Sequence, residues 1–501
     1  MEDERELYVE QQREDVTSIR HIVWPLLGIL FSYTVLPGCI YSSSMMAAAT
    51  TALAIYILFL YYIRIPEYIL VMVAMTTIMP SVHGETASAM IKDQIYWIFL
   101  WMRVLIVSIF IINIYVRKKT IPFKSPIKFG ILSISLGALY FFAFGDIKDL
   151  MTWIWDFIYV ILFFYNCISE RFSLKVFYFL YSALFLMISF YSITDYFFHF
   201  TPYSLLYNIH DLELQSSANE VFRARGLTGH PLLLSAQAGL YIGIILFKFT
   251  INREYDLFMI VMVLLALFVS LLTASKTSLL VIAGELLYFI YLSAKTKQTM
   301  HMIAMSFIII LIAAVTSDYW SSQYDNFIFR LYNSGTEHRE AAYSSVANLF
   351  YDNPFGVGID NINSEIKRYA TYGLIKDFTL DNFFLRQIAA YGVFAVITCA
   401  FYYFYLHTAY LLRRSYPSLF FMLMLFALIW TFTGISFNLE TFISLKTPFF
   451  AIVGFIYSIY LSYDDDDDME FAESSADEGE YFMEDYHPDY IEESSDNDYS
   501  D

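Results

Sequence analysis

The sequence predicts an all-α polytopic membrane protein with about 12 to 14 transmembrane helices. Hydrophobic residues occupy 58% of the 501 positions and charged residues only 16%. That apolar content exceeds what the core of a water-soluble protein of this length requires. The apolar residues also recur in runs of about 20, the length that crosses a bilayer as a helix. Lipid is therefore the expected solvent for most of the chain.

The first 20 residues are polar and acidic, and the first apolar run begins near His21. They lack a short basic region followed by a small-residue cleavage site, so we expect no cleavable signal. The first apolar run should therefore remain in the protein as a membrane anchor. Residues 1–20 are expected to form a cytoplasmic N-terminus.

Fourteen apolar runs are candidate spans, and the third is short. They group into an N-terminal set at 21–197, a middle set at 232–317 and a C-terminal set at 381–462. The spans cover approximately residues 21–37, 45–63, 67–80, 95–116, 127–145, 151–168, 174–197, 232–250, 256–273, 276–295, 299–317, 384–410, 418–436 and 445–462.

The basic residues of the short connections predict the orientation of the spans. Lys and Arg concentrate in alternate loops, with the largest group between Arg117 and Lys128. The short loops between these contain only Lys92, Lys148, Lys276 and Lys446. Because short cytoplasmic loops are enriched in Lys and Arg, both termini are predicted to be cytoplasmic.

This orientation leaves two long polar segments outside, at 198–231 and 318–380. Connections between packed helices are usually much shorter, and long loops often carry function. We expect the second segment to form a large catalytic loop. The alternatives are an insertion without a function or a crossing pair of helices that the hydropathy pattern does not reveal.

The C-terminal residues 463–501 form a separate acidic segment. Residues 464–501 contain 18 acidic residues and no Lys or Arg, which leaves 31 acidic against 30 basic residues in the rest of the chain. Such a segment has little to bury and should be disordered in the cytoplasm. It is either a solvated tail or a docking or phosphorylation segment, and nothing in the chain suggests nucleic-acid binding.

The first long segment ends in a cluster of basic groups, the stretch from Arg223 to Pro231, which includes Arg225 and His230. Pro231 suits the first turn of the following helix, so the cluster should lie at a helix N-terminus. Backbone N–H groups and the guanidinium forks of arginine together bind phosphate well. The cluster therefore suits a diphosphate, although interfacial arginines also contact lipid phosphates.

The second long segment ends at a carboxylate beside the membrane. Arg339 precedes the turn-forming stretch Asn353-Pro354-Phe355-Gly356-Val357-Gly358, and Asp381 stands immediately before the twelfth span. Asp381 could be a general base, or it could be an ordinary helix N-cap. Lys276, in a short outer turn, could contact substrate or simply extend to the membrane surface.

No other chemistry competes with this interpretation. The sequence lacks a metal-ligand pattern, a phosphate-binding glycine loop and a nucleophile elbow, so no metal or cofactor is expected. Its cysteines, Cys39, Cys167 and Cys399, are widely separated and sit in or beside apolar runs. The predicted cytoplasmic loops are too short for a nucleotide-sugar domain, so a sugar donor would have to be lipid-linked and approached from outside.

These segments resemble the O-antigen ligase and polymerase superfamily, bacterial membrane proteins that join or extend undecaprenyl-diphosphate-linked glycans. The resemblance covers about residues 220–395. It rests on the stretch from Arg223 to Pro231, on Ser275-Lys276-Thr277-Ser278, on Arg339 ahead of Asn353-Pro354-Phe355-Gly356-Val357-Gly358, and on Asp381-Asn382-Phe383-Phe384-Leu385 with Gly392.

The resemblance implies a glycosyltransferase C-like fold and metal-independent glycan transfer at the outer face of the bacterial cytoplasmic (inner) membrane. It makes Arg223 and Arg339 candidate diphosphate ligands. In the ligase branch a histidine commonly precedes the asparagine of the last motif, whereas this chain has Asp381. The asparagine that often follows the proline of the first motif is replaced by Leu232.

Our hypothesis is an inverting polymerase of capsular, O-antigen or exopolysaccharide repeat units, acting on lipid-linked oligosaccharide with a flippase and a chain-length regulator as partners. Arg223, Arg225 and Arg339 would hold the diphosphate, and Asp381 would be the general base. Lys276 and His230 would add secondary contacts.

Two alternatives stay open. One is a ligase that transfers a finished glycan to an acceptor. The other is a transporter or flippase for lipid-linked oligosaccharide, which should bury charges inside its spans and contain internal repeats. Arg103 and Asp156 lie inside predicted spans, but no repeat is evident.

Overall fold

A computed structural model describes most of the apolar chain, and its described residues form only helices, turns and connecting segments. The structure describes residues 19–78, 85–121, 123–145, 147–200, 202, 223–252, 256–273, 275, 281–282, 284–285, 287–289, 336–369, 380, 382–412, 417–436 and 442–461. The predicted all-α fold is confirmed for this part of the chain.

The helices are labelled in chain order. They are α1 Ile19–Cys39, α2 Ser43–Tyr62, α3 Tyr68–Thr77, α4 Gln94–Val116 (the apolar part of a helix that begins at Glu85), α5 Ser125–Phe144, α6 Ile147–Ile168, α7 Leu174–Phe198, α8 Pro231–Asn252, α9 Leu257–Leu272, α10 Thr336–Asp352, α11 Ile362–Tyr369, α12 Phe383–Tyr391, α13 Ala395–Tyr402, α14 Phe404–Leu412, α15 Pro417–Ser436 and α16 Ile443–Leu461.

Most of the predicted spans have helical counterparts. Within the described ranges, nine helical stretches are long and apolar enough to cross a bilayer, and α3, α9 and α15 are shorter apolar helices. Together they account for twelve of the fourteen predicted spans, including the short third one. The remaining two, at 276–295 and 299–317, fall largely or wholly outside the described residues.

The predicted twelfth span at 384–410 corresponds to the apolar helical stretch Phe383–Tyr402, but the stretch is not one regular helix. It consists of α12 and α13, interrupted at Gly392, and α14 follows a turn at Tyr403. Gly392 has a φ of +56° and a ψ of −126°, a conformation essentially restricted to glycine. The apolar pattern could not reveal this break because it continues across Gly392 without a polar interruption.

The centre of the bundle is formed by α16 and α8. In their most apolar stretches 100% of α16 and 89% of α8 are buried, against 28% for α4 and α5, which therefore lie at the periphery. Close helix contacts depend on small residues: a Cβ at Gly454 in α16 would lie 2.4 Å from Cys167 Cβ in α6. Such approaches are typical of membrane bundles, where small residues let backbones come close together.

Connections that are predicted to lie on the same side of the membrane contact each other. At one end Arg117 and Lys119 lie 3.5 and 3.3 Å from Glu170, all three in connections predicted to be cytoplasmic. Burial raises the pKa of Glu170, and the two cations oppose that rise. At the other end Lys148 pairs with Asp360 at 2.6 Å, and Tyr41 bonds the carbonyl of Pro202. We term this second end, which carries the segments predicted outside, the outer end.

The second long segment contains two helices, α10 and α11, which the hydropathy pattern did not predict. Neither is among the apolar helices of the described ranges, so they are not additional spans. Tyr369 at the end of α11 donates to Asp352 at the end of α10 at 2.8 Å. This hydrogen bond raises the pKa of Tyr369.

Candidate functional site

The arginine segment 223–230 lies against the end of α9. The Nε of Arg223 donates to the carbonyl of Thr273 at 2.8 Å, and the backbone N–H of Ala224 donates to the carbonyl of Leu272 at 2.9 Å. Ser275, two residues further on, is buried. The first motif is therefore beside the chain that leads into Ser275-Lys276-Thr277-Ser278, although Lys276 itself lies outside the described residues.

A carboxylate that the sequence did not single out holds the turn of this segment. Asp195, near the end of α7 and 7% exposed, accepts from the backbone N–H groups of Arg225 and Gly226 at 2.6 and 3.0 Å. A carboxylate that accepts two backbone N–H groups fixes the path of the chain strongly. Asp195 therefore positions the half-buried side chains of Arg223 and Arg225.

We expect Asp195→Ala to loosen the arginine segment. The substitution leaves two backbone donors without their acceptor, at a cost of about 1–3 kcal/mol each when buried. Thermal unfolding of the purified protein in detergent should show a clear loss, whereas Asp195→Asn, which keeps an acceptor oxygen, should lose less. An unchanged midpoint for the alanine variant would contradict the role of Asp195.

His230 has a structural role at the start of α8. Its Nδ1 accepts from the backbone N–H of Leu232 at 3.2 Å, and its carbonyl accepts from the Thr228 hydroxyl at 3.1 Å. These contacts satisfy a donor in the first turn of the helix. A direct contact between His230 and substrate stays a prediction.

The structure does not describe the side chains of Arg339 and Asp381, the two residues predicted to have central catalytic roles. Arg339 stands in the first turn of α10, but its side chain lies outside the described part of the chain, and Asp381 also lies outside it. The alternative of an N-cap at Asp381 is wrong, because the N-cap of α12 is Asn382, whose side chain accepts from Leu385 N–H at 3.0 Å.

The turn-forming stretch 353–358 docks directly on the backbone at the end of α12. The N–H groups of Val357 and Gly358 donate to the carbonyls of Ala389 and Ala390 at 3.1 and 2.9 Å, and Val393 N–H donates to the Pro354 carbonyl at 2.9 Å. Two of the motifs that the sequence separates by about 25 residues thus form one backbone-to-backbone unit.

A buried polar network attaches this unit to the N-terminal helices. Tyr391 donates to Asp149 at 2.8 Å, and Trp153 Nε1 donates to the Tyr391 hydroxyl at 2.8 Å. The backbone N–H of Ile359 lies 3.3 and 3.4 Å from the two oxygens of Asp149. Asp149 is 0% exposed, so the docked turn is tied to α6 through a fully buried carboxylate.

A cationic cavity lies next to this unit. Its volume is about 280 Å³, and Arg103, Arg386 and Lys446 line it together with Asp156, Trp155 and Ile359. Lys446 and Asp156 form an ion pair, and Tyr402 donates to the other oxygen of Asp156. Arg103 lies over the Trp155 ring, with its central carbon 3.8 Å from the ring centroid.

Sequence reasoning assigned no site to these cavity residues. Arg103 and Asp156 were visible as charges inside predicted spans, which is a common signal of function. Lys446 and Arg386 stood at the ends of spans, where they look like interfacial residues. The four residues are recognised as a candidate site only because the fold brings them from α4, α6, α12 and α16 to one cavity.

The arginine segment and the cavity are connected through α8. The Nε2 of Gln237 donates to the carbonyl of Ser444, two residues before Lys446, at 3.2 Å. Gln237 is six residues from Pro231, which corresponds to about 9 Å along a helix. Both cationic regions therefore lie in the outer part of the bundle.

Comparison with known proteins gave one family match. Residues 261–400 match the family model described as O-antigen ligase. No curated protein and no solved structure gave a significant match. The matched region contains Thr273, whose carbonyl accepts from Arg223, and the docked turn 353–358. It also contains two residues that line the cavity, Ile359 and Arg386. Residues 261–400 of this multi-pass membrane protein are therefore similar to the O-antigen ligase family.

Proposed function

We propose that this protein polymerises lipid-linked oligosaccharide repeat units into capsular, O-antigen or exopolysaccharide chains at the outer face of the bacterial cytoplasmic membrane. The observation that carries the proposal is the contact between Arg223 and Thr273, which brings the arginine segment onto the family-matched region. The substrate would be a glycan on undecaprenyl diphosphate. A flippase and a chain-length regulator would act with the protein.

The proposed chemistry joins an acceptor hydroxyl to the anomeric carbon of the donor sugar. The hydroxyl oxygen forms the new C–O bond while the bond from the anomeric carbon to the diphosphate breaks, and the diphosphate leaves with the electron pair on its lipid. Asp381 takes the hydroxyl proton, and Arg223, Arg225 and Arg339 stabilise the leaving charge. Lys276 and His230 add secondary contacts. The step inverts the anomeric centre and needs no metal.

The choice of polymerase over ligase rests on Asp381. A carboxylate stands where the ligase branch commonly has histidine, and α12 is capped by the next residue, Asn382. Asp381 is therefore not required as the N-cap and can serve as a base. A transporter is the second candidate, supported by the ion pair of Lys446 with Asp156 inside the bundle.

The test uses a strain whose only copy carries Asp381→Asn, Arg339→Ala or Arg223→Ala at matched expression. Loss of a general base costs about 10²- to 10⁴-fold in rate, so long surface chains should disappear and single lipid-linked repeat units should accumulate outside. The matched control is Arg368→Ala, an exposed arginine on α11 that pairs with Glu365. It should leave the chain-length distribution unchanged.

Other outcomes separate the alternatives. Long chains that remain on the carrier lipid would indicate a ligase, and repeat units trapped inside the cell would indicate a transporter. An unchanged distribution in all three variants would refute the assigned roles.

A further inference from the structure

Glu285 lies inside the tenth predicted span, 276–295, within the region that matches the O-antigen ligase family. It is 1% exposed, and neither of its carboxylate oxygens has a hydrogen-bond partner among the described residues. An ionised carboxylate in such a place is costly, because nothing compensates its charge. Ionisable residues inside membrane spans are rare, and they commonly mark sites that bind protons, ions or substrates.

The carboxylate faces α8, the helix that follows the arginine segment. A Cβ at Gly239 in α8 would lie 2.7 Å from Val281 Cγ1 and 3.7 Å from Glu285 Oε1. Val281 and Glu285 are four residues apart, so they lie on one face of their helix. The ring centroid of Phe289, on the same helix, is 6.2 Å from that of Phe249 in α8. The two helices therefore run side by side in the same direction, and the small residue at Gly239 lets them come close together.

The depth of this contact places it near the middle of the membrane. Gly239 is eight residues from the start of α8, and Glu285 is nine residues from the start of its predicted span. These separations correspond to about 12 and 14 Å along a helix, and the hydrocarbon core is about 30 Å thick. Leu287, two residues beyond Glu285, is exposed, so the opposite face of this helix meets lipid. Glu285 is therefore directed toward the helix bundle.

No cation among the described residues pairs with this carboxylate. The one charged residue of α8, Lys248, pairs with Asp256 at 2.9 Å, and the Tyr241 hydroxyl is hydrogen-bonded to α7. The helices α9 and α15 also pack against α8, and neither contains an ionisable side chain. On the helix of Glu285 itself, the nearest described ionisable residue is Tyr288.

The surroundings favour a proton over a metal ion as the ligand of Glu285. A Cβ at Gly239 would also lie 3.9 Å from Ile429 Cγ2 in α15, so apolar groups surround this contact. Hard metal ions require several oxygen ligands. In the part of the chain that the structure describes, no three His, Cys, Asp or Glu side chains are grouped to hold a metal. A proton needs a single carboxylate oxygen, and it removes the uncompensated charge completely.

We propose that Glu285 is a proton-binding site in the interior of the membrane, and that its proton keeps the tenth predicted span packed against α8. Release of the proton breaks the carboxyl O–H bond and leaves a negative charge between two closely packed helices, which should separate them. The arginine segment leads into α8, and Ser275-Lys276-Thr277-Ser278 leads into the tenth predicted span. The protonated state is therefore the one that holds these two motifs together.

The experiment measures how the stability of the purified protein in detergent depends on pH. The packed state binds one proton more than the unfolded chain, in which Glu285 is ionised in water, so stability should fall as pH rises. The unfolding equilibrium constant should increase by up to about tenfold per pH unit over the range in which the proton is released. Measurements between about pH 6 and about pH 9 suit this test, because ordinary carboxyl groups and lysines do not titrate there.

Two variants isolate Glu285 from the other titrating groups. Glu285→Gln keeps the shape of the protonated side chain and cannot ionise, so this contribution to the pH dependence should disappear. Glu285→Leu should also lack it, and this variant carries the test if the glutamine variant fails to fold. The matched control is Glu365→Gln, which removes a carboxylate that pairs with Arg368 on α11, and its pH profile should follow that of the wild type.

Hydrogen exchange locates the change in the structure. At the alkaline end of the range, the backbone N–H groups of α8 around Gly239 should exchange faster in the wild type than in Glu285→Gln. Equal exchange rates, or a pH profile of the wild type parallel to that of Glu285→Gln, would contradict the proposal. A stability that followed the Na⁺ concentration at constant pH, and no longer did so in Glu285→Gln, would assign the site to a metal ion instead. These measurements are independent of the chain-length assay, so the two proposals can fail separately.

Discussion

Gly392→Ala is expected to disrupt the docked turn and to abolish the proposed glycan transfer. A Cβ at residue 392 would lie 2.0 Å from the Pro354 carbonyl oxygen and 2.6 Å from Gly356 N, which are backbone atoms that cannot rotate away. Residue 392 also has a φ of +56°, which strains any residue with a Cβ. Overpacking and backbone strain together should cost about 2–6 kcal/mol.

This loss is large because the turn is held mainly through its own backbone. The contact at Gly392 includes the hydrogen bond from Val393 N–H to Pro354, so a shift that relieves the clash also breaks that bond. Native proteins are only about 5–15 kcal/mol more stable than their unfolded states. Thermal unfolding in detergent and surface-polysaccharide length should therefore both change strongly.

Alanine substitutions at two other glycines distinguish the effect of backbone strain from that of the steric clash. Gly145 has a φ of +72° but nothing within 4 Å of an added Cβ, so Gly145→Ala measures the backbone strain alone. Gly38 lies in α1 with equally open space and no positive φ, and alanine there should be neutral or slightly stabilising. If Gly392→Ala were no worse than Gly145→Ala, the close approach of the two segments would not exist in the protein.

Lys446→Met is expected to be the second most damaging substitution. Lys446 and Asp156 are 6% and 5% exposed at their side chains, so the loss of the cation leaves a buried carboxylate that still accepts from Tyr402 but has lost its ion pair. Breaking a buried ion pair in this way typically costs about 3–5 kcal/mol. The free energy of unfolding in detergent should fall by that amount.

Adding Asp156→Asn to Lys446→Met should restore much of the lost free energy of unfolding. With Lys446→Met and Asp156→Asn together, neither member of the pair leaves the other as an unpaired buried charge, and the stability should recover by more than half. The comparison pair is Lys248 with Asp256, whose carboxylate is 50% exposed, and Lys248→Met should cost about 1 kcal/mol or less. Additive losses in the double variant at positions 446 and 156 would show that the two charges do not depend on each other.

The sequence predicted the local features well because each depends on neighbouring residues. Helical spans follow from runs of apolar residues, and even the short third span was found as Tyr68–Thr77. The start of α8 at Pro231 followed from the ring of proline. The contacts that hold the motifs were not predictable, since Asp195 meets Arg225 across 30 residues and Asp149 meets Tyr391 across 242.

Other features of the fold could not be predicted from the sequence. The break at Gly392 is imposed by the backbone of residues 354–356, far away in sequence. The helices α10 and α11 lack the apolar repeats on which span prediction depends. The roles of Arg339, Asp381 and Lys276 stay predictions, because their side chains lie outside the described residues.

By itself the sequence determined that this is a multi-pass membrane protein, predicted how many times it crosses the membrane, and contained the motifs that resemble those of glycan ligases and polymerases. Those properties depend on hydropathy and on residues adjacent along the chain. Only the tertiary structure decided that Arg103, Arg386, Lys446 and Asp156 share one cavity, because they come from four separate helices. Packing around α16 brings those helices together, and no local pattern in the sequence specifies which faces meet.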